Sequence, residues 1–200
     1  MNKLKLLFFV LLFSNFAQAQ LADKAENVSP LLIGETMPDM PLANTDGKTM
    51  QTSTVFQEKP TIAIFYRGGW CPYCNVHLAE IGKVEPEILK MGYQIIAISP
   101  DSPASLKSTI AKHELKYQLF SDSNGSLTKA VGIAFKAPER AVQYIEKGSE
   151  GVNKEMLPVP SIFVLDKKGM ILFEYISPTF TKRMSSQLLL AVLKNLEIGK

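Results

Sequence analysis

The sequence predicts an α/β domain, and three observations carry that prediction. The β-branched apolar run Thr61-Ile62-Ala63-Ile64 is followed by a helical stretch, Asn75–Lys90, and then by a second apolar run, Tyr93–Ser99. Strand, helix and strand in that order are the signature of a parallel crossover. Late in the chain, Ser161–Asp166 and Gly169–Ile176 flank the turn Lys167-Lys168-Gly169 as a hairpin. Thr181–Glu197 closes the chain as an amphipathic helix, with Leu188, Leu189, Val192, Leu193 and Leu196 on one face.

Taken in order, residues 1–19 read as a secretory signal peptide. Lys3 and Lys5 precede the unbroken apolar run Leu6–Phe13, and Ala17-Gln18-Ala19 is a small-x-small site that places cleavage before Gln20. The apolar run is too short for a permanent bilayer span, so no stable membrane insertion is expected. Residues 20–33 form a polar, weakly patterned arm, and residues 34–200 form one domain. An N-terminal β-hairpin extension, with strands near Met40–Ala43 and Lys48–Met50, turns at Asp46-Gly47. A helical turn near Ser53–Gln57 leads into the central strand Thr61–Tyr66. In the next helix Val76, Ala79, Val84, Ile88 and Met91 recur at roughly helical spacing, Pro86 predicts a kink, and Gly92 ends the helix. After strand Tyr93–Ser99, Ser102 is placed to cap a helix over Ala104–His113. A short strand, Tyr117–Ser121, a turn at Asp122–Gly125, and helices at Ser126–Val131 and Pro138–Lys147 complete the middle of the chain.

The 200 residues are 46% hydrophobic and 20% charged, an ordinary globular composition with room for one sizeable core. The net charge of +3 falls close to neutral once Lys3 and Lys5 are removed, and no basic cluster with interleaved aromatics argues for nucleic acid.

Chemistry concentrates in Phe65-Tyr66-Arg67-Gly68-Gly69-Trp70-Cys71-Pro72-Tyr73-Cys74, which holds the chain's two cysteines where a strand hands over to a helix. Gly68 and Gly69 allow a sharp turn, and Pro72 suits a first helical turn. A cysteine there faces unpaired backbone N–H groups and the positive end of the helix dipole, which favour the reactive thiolate. A structural disulfide across two intervening residues would close almost no chain. Cys71, Cys74 and His77 have ligand-like spacing, but no second Cys/His pair completes a zinc site, and Asn75 stands where covalent haem attachment needs histidine. The pattern points to a redox pair with no metal and no cofactor. His77 reads as solvated. Trp70 shields the disulfide edge or packs, Tyr66 and Tyr73 donate a hydrogen bond or pack, and Arg183 opens the last helix as a surface charge or as part of the site.

A strand, WCxxC at a helix start, and a proline opening a late hairpin resemble the thioredoxin superfamily. Val159-Pro160 matches that superfamily's cis-proline, which implies an extended edge beside the cysteines and backbone hydrogen bonds from Val159 to a substrate. Gly34-Glu35-x-x-Pro38-Asp39, Phe65-Tyr66, Ile98-Ser99-Pro100-Asp101-Ser102, Ser121-Asp122 and Val164-Leu165-Asp166-x-x-Gly169 narrow the resemblance. With Phe180-Thr181-Lys182-Arg183, they resemble a CxxC-containing subgroup of the alkyl hydroperoxide reductase/thiol-specific antioxidant (peroxiredoxin-like) family, across essentially the whole mature chain. The resemblance implies a thioredoxin-like fold, a central mixed sheet flanked by helices.

The chain departs from both patterns. Aligned on Phe65-Tyr66, Cys74 takes the peroxidatic position, Cys71 replaces a threonine and Arg67 replaces a proline. The family's arginine before the late strand is missing, leaving Arg183 or Arg140 to supply positive charge. The buried acid of thioredoxins falls on Phe65.

The signal peptide implies export, to a periplasm, and the resemblance implies a thiol peroxidase that reduces hydrogen peroxide or organic hydroperoxides through Cys71 and Cys74, regenerated by a thioredoxin-like reductant. The alternative is a thiol–disulfide oxidoreductase acting on protein disulfides, and a lesser one is a non-catalytic metal carrier. The peroxiredoxin alignment makes Cys74 the attacker; exposure at the helix end makes it Cys71. Both assignments stay open on the sequence.

Overall fold

The computed structural model describes residues 21–196, so the expected signal peptide and its cleavage site lie outside the described residues. After a short 3-10 turn at Ala25–Asn27, the elements are β1 (Pro41–Ala43), β2 (Thr49–Gln51), α1 (Thr52–Phe56), β3 (Thr61–Phe65), α2 (Pro72–Lys90), β4 (Gln94–Ser99), α3 (Pro103–His113) and β5 (Gln118–Ser121). They continue with α4 (Ser126–Ala130), β6 (Ala134–Lys136), α5 (Glu139–Gly148), β7 (Met156–Pro158), β8 (Ser161–Leu165), β9 (Ile171–Ile176) and α6 (Ser186–Asn195).

A seven-stranded mixed sheet runs β2-β1-β5-β4-β3-β8-β9. The central strand β3 pairs in parallel with β4 (Ile62↔Ile95) and antiparallel with β8 (Ile62↔Val164). All five residues of β3 are buried, and strand alternation sends them to two different cores. Ile62 and Ile64 meet Leu78, Ile81 and Ile88 of α2, Leu106 of α3, and Leu189 and Leu193 of α6. Ala63 and Phe65 meet Val55 and Phe56 of α1 and Leu127 of α4 on the other face. The N-terminal hairpin is joined to the sheet through the Ala43↔Ser121 bridge, as an extension of one edge.

The structure departs from the sequence reading in four places. Helix α2 starts at Pro72 rather than Asn75, because Cys71 takes the extended N-cap conformation and Pro72 the first helical position. Pro86 lies inside it, as the sequence indicates, flanked by the fully buried Leu78, Ile81 and Ile88. Its inward face is Cys74, His77/Leu78, Ile81, Glu85 and Ile88, whereas Val76 is 69% exposed. Helix α6 begins at Ser186, capped by the Ser185 hydroxyl, so Arg183 lies in the loop before it. The small β6/β7 sheet, too short to show periodicity, was not legible at all. The arm lies along that sheet and the end of α4, with Lys136 N–H donating to Ala22 (2.8 Å) and Leu31 N–H to Val131 (3.0 Å).

Candidate active site

At the end of β3 the chain keeps one more sheet bond, Tyr66 N–H to the Ile98 carbonyl at 3.0 Å, and then turns. Gly68 sits at φ +136°, a conformation L side chains rarely adopt. The Cys71 N–H closes the turn on the Gly68 carbonyl at 3.1 Å, and the Cys71 carbonyl accepts from both Cys74 and Asn75, each at 3.1 Å.

The cysteines are free thiols, each 1% exposed, with the Cys74 thiol donating to Cys71 Sγ at 2.7 Å. That hydrogen bond is the largest influence lowering the Cys71 thiol to about 6; burial opposes it, and the Cys74 backbone N–H, Arg67 and Arg183 add to it. Cys74 is pushed well up, first by burial and then by its role as donor to Cys71 and by the Cys71 charge. The pair is therefore asymmetric: Cys71 carries the thiolate and Cys74 the proton.

Two arginines frame it. Arg183 Nη2 stands 3.5 Å from Cys74 Sγ, while Nη1 donates to the Lys182 carbonyl at 2.8 Å. Arg67 is 6% exposed, its guanidinium carbon 5.0 Å from the Trp70 ring centre and 4.4 Å from that of Phe180. Sandwiching a delocalised cation between rings keeps it favourable while removing it from water. A cavity of about 440 Å³ opens along Arg67, Arg140, Pro160 and Phe180, with Arg140 on its exposed rim.

Of the other residues singled out from the sequence, Trp70 is half-buried and stacked on Tyr144 at 5.3 Å. Tyr66 is 2% exposed; its hydroxyl has no hydrogen-bond partner, and burial, then the Asp101 charge, hold it protonated. Tyr73 is half exposed, edge-on to Phe180 at 5.8 Å.

The Val159-Pro160 expectation is corrected. No peptide bond among the described residues is cis. Val159 is wholly buried, its N–H donates to the Ile133 carbonyl and its carbonyl accepts from the Ser161 hydroxyl, both at 2.8 Å. Both polar backbone groups of Val159 are thus hydrogen-bonded within the chain, which leaves its N–H committed to Ile133. Pro160 is buried too, and reaches the site only as a wall of the Arg67 cavity.

Arg67 and His77 are the site residues that sequence reasoning passed over. Arg67 registered only as a departure from a proline, although a cation in the short turn between a strand and a CxxC is itself a signal. His77 was read as solvated, but it is 5% exposed with Nε2 3.1 Å from the Met184 carbonyl; counting three residues from Cys74 along the inward face of α2 places it inside. Among the described residues no group of three or more His, Cys, Asp or Glu side chains is arranged to hold a metal. No helix among them is long and apolar enough to cross a membrane.

A family model described as the AhpC/TSA family matches residues 33–173. The chain is 28% identical over 142 residues to the chloroplastic peroxiredoxin Q of Populus jackii, covering 71% of this chain and 59% of that protein. It is also 22% identical over 143 residues to the thiol-disulfide oxidoreductase ResA of Bacillus cereus, covering 71% of this chain and 68% of that protein. The chain thus spans less than two thirds of the plant protein's length. Peroxidoxin BcpB of Mycobacterium tuberculosis superposes with a TM-score of 0.67 at 20% identity, over 82% of this chain and 97% of that one, which shows a shared thioredoxin-like fold. The family match covers the hairpin extension, the central crossover with both cysteines and the late hairpin as far as the first half of β9, and on it the chain belongs to the AhpC/TSA family.

Proposed function

We propose that this protein is a thiol-dependent peroxidase in which Cys71 attacks the peroxide and Cys74 resolves. The observation that carries the reading is the asymmetric pair itself: a thiolate at Cys71, a protonated thiol 2.7 Å away, and Arg67 and Arg183 at its flanks. The Cys71 thiolate attacks one peroxide oxygen, the O–O bond breaks, and the alkoxide or hydroxide leaves and takes up a proton, giving a sulfenic acid. Arg67 and Arg183 stabilise the negative charge as it moves from sulfur to the leaving oxygen. Cys74 then attacks the sulfenic sulfur; the S–S bond forms, the S–O bond breaks, and water departs with the Cys74 proton. The disulfide takes two electrons from a thioredoxin-like dithiol partner and returns to the starting state. The family and the peroxiredoxin relatives support this reading, and the N-terminal sequence supports its setting as an exported, periplasmic protein.

The likeness to ResA favours a second reading, exchange with protein disulfides through the same Cys71 thiolate. The two are separated by measuring peroxide consumption with a thioredoxin and its reductase beside reduction of a protein disulfide. The peroxidase reading requires peroxide turnover that Cys71→Ser abolishes. Disulfide reduction without peroxide turnover would replace it with the second reading.

A further inference from the structure

Asp101 lies two residues beyond β4, 2% exposed, a place where a carboxylate is costly unless it is held. Oδ2 accepts the Gly69 N–H at 2.7 Å and the Ser99 hydroxyl at 3.1 Å. The carbonyl of the same glycine accepts Asn75 Nδ2 at 2.8 Å. Asn75 stands in the first turn of α2, directly after Cys74, so both polar backbone groups of Gly69 are tethered, one to the loop after β4 and one to the helix that carries the thiols. Gly69 is the midpoint of the turn joining Arg67 to Cys71.

The surroundings are built to admit this carboxyl. A Cβ on Gly68 would lie 2.9 Å from Asp101 Oδ1 and 2.5 Å from Trp70 Nε1; one on Gly148, at the end of α5, would lie 2.6 Å from Asp101 Oδ1. The Gly148 carbonyl accepts the Ser102 N–H at 2.8 Å, fixing the Asp101 loop against α5. Among the described residues Asp101 forms no ion pair. Lys112 and His113 of α3 and Lys147 of α5 line the adjoining cavity of about 330 Å³, and the Tyr66 phenol approaches from the β3 side. Burial pushes the Asp101 carboxyl up, against the pull of the Gly69 N–H and the Ser99 hydroxyl. A buried acid with no ion pair and a backbone amide as its shortest contact serves geometry better than it serves stability.

We propose that Asp101 is a positioning residue for the thiol pair: by holding the Gly69 amide, it fixes the turn that sets the Arg67 guanidinium against Cys71. It makes no hydrogen bond to either thiol. The inference rests on the reading of Cys71 as the attacking thiolate.

The test is the pH dependence of Cys71 alkylation by iodoacetamide in a Cys74→Ser parent, whose hydroxyl retains a donor to Cys71. Asp101→Ala should raise the Cys71 midpoint by about one unit as the turn relaxes and Arg67 moves off. Asp101→Asn should leave it unchanged, because the amide oxygen still accepts from Gly69. Loss of negative charge alone would lower the midpoint in both variants. An unchanged or lowered midpoint in Asp101→Ala, or an Asp101→Asn shift as large as that of alanine, overturns the proposal. If near-ultraviolet circular dichroism shows that Asp101→Ala does not fold, Asn75→Ala releases the same glycine from its other side. It should raise the midpoint likewise, and no rise there overturns the proposal equally. A parent with no titration below pH 7 overturns the thiolate reading itself, and the inference with it.

Discussion

His77 Nε2 lies 3.1 Å from the carbonyl of Met184, a contact between residues 107 positions apart in the chain. Since a carbonyl only accepts, the ring is the neutral tautomer with its proton on Nε2. One turn further along α2, Glu80 accepts both the backbone N–H and the hydroxyl of Ser186 at 3.0 Å. The loop between β9 and α6 is thus pinned to the thiol-bearing helix at Met184 and Ser186, just after Arg183, which explains how a loop arginine comes to rest 3.5 Å from Cys74 Sγ.

That anchor predicts an acid-labile fold. Burial, and next the Arg183 charge, hold His77 down to about 4, below its unfolded value of about 6.5. Between those values the unfolded chain binds a proton that the folded chain refuses. The stability His77 contributes is therefore complete above about pH 6.5 and is lost as pH falls toward 4. Urea midpoints at pH 7 and pH 5 should separate in the wild type and separate less in His77→Gln. Equal losses in both proteins would count against the anchor.

The arginines should be unequal. Arg67 is buried and its charge acts more strongly on Cys71 than that of Arg183. Arg67→Ala should raise the Cys71 midpoint by about one unit, and Arg183→Ala by less. Alkylation rates across pH measure both, and the reverse order would contradict the site as described.

The peroxide reaction should follow the thiolate. With Cys71 lowered to about 6, the second-order rate constant should rise through that pH and level off by neutrality, falling about tenfold at pH 5. Stopped-flow rates with hydrogen peroxide test this, and a midpoint at the ordinary thiol value of about 8.5 would refute it.

Much of this was legible in the sequence, for reasons that particular residues make plain. Ile62, Ile64 and the Tyr93–Ser99 run are continuous apolar stretches, and Ser102 caps α3 by accepting from Ser105 N–H as its position predicts. Cys71-Pro72 at a strand-to-helix turn reads from residue type alone. The α2 face did not, because Val76 is apolar yet outward, while the polar His77 is buried against Met184, 107 positions away, and Asn75 folds back onto the Gly69 carbonyl of the preceding turn. Val159-Pro160 was misread for a similar reason: the Ile133 carbonyl that occupies its N–H belongs to the chain just before the unforeseen β6.

The corrected α2 face has a measurable consequence. Leu78 is fully buried in the core shared by α2 and the sheet, so Leu78→Ala should cost about 2–5 kcal/mol. Val76→Ala, at a site 69% exposed, should stay within about 0.5 kcal/mol. Urea unfolding of the two variants distinguishes this face from the one sequence spacing suggests.

The most direct test of the account adds one equivalent of hydrogen peroxide to the reduced protein with no reductant present, following free thiols and intact mass. The account predicts prompt loss of both thiols per peroxide and a product lighter by two hydrogens in the wild type. Cys74→Ser should gain one oxygen at Cys71, and Cys71→Ser should be inert. Peroxide left unconsumed by the wild type, or an oxygen gained at Cys74 in Cys71→Ser as fast as at Cys71 in Cys74→Ser, would contradict it.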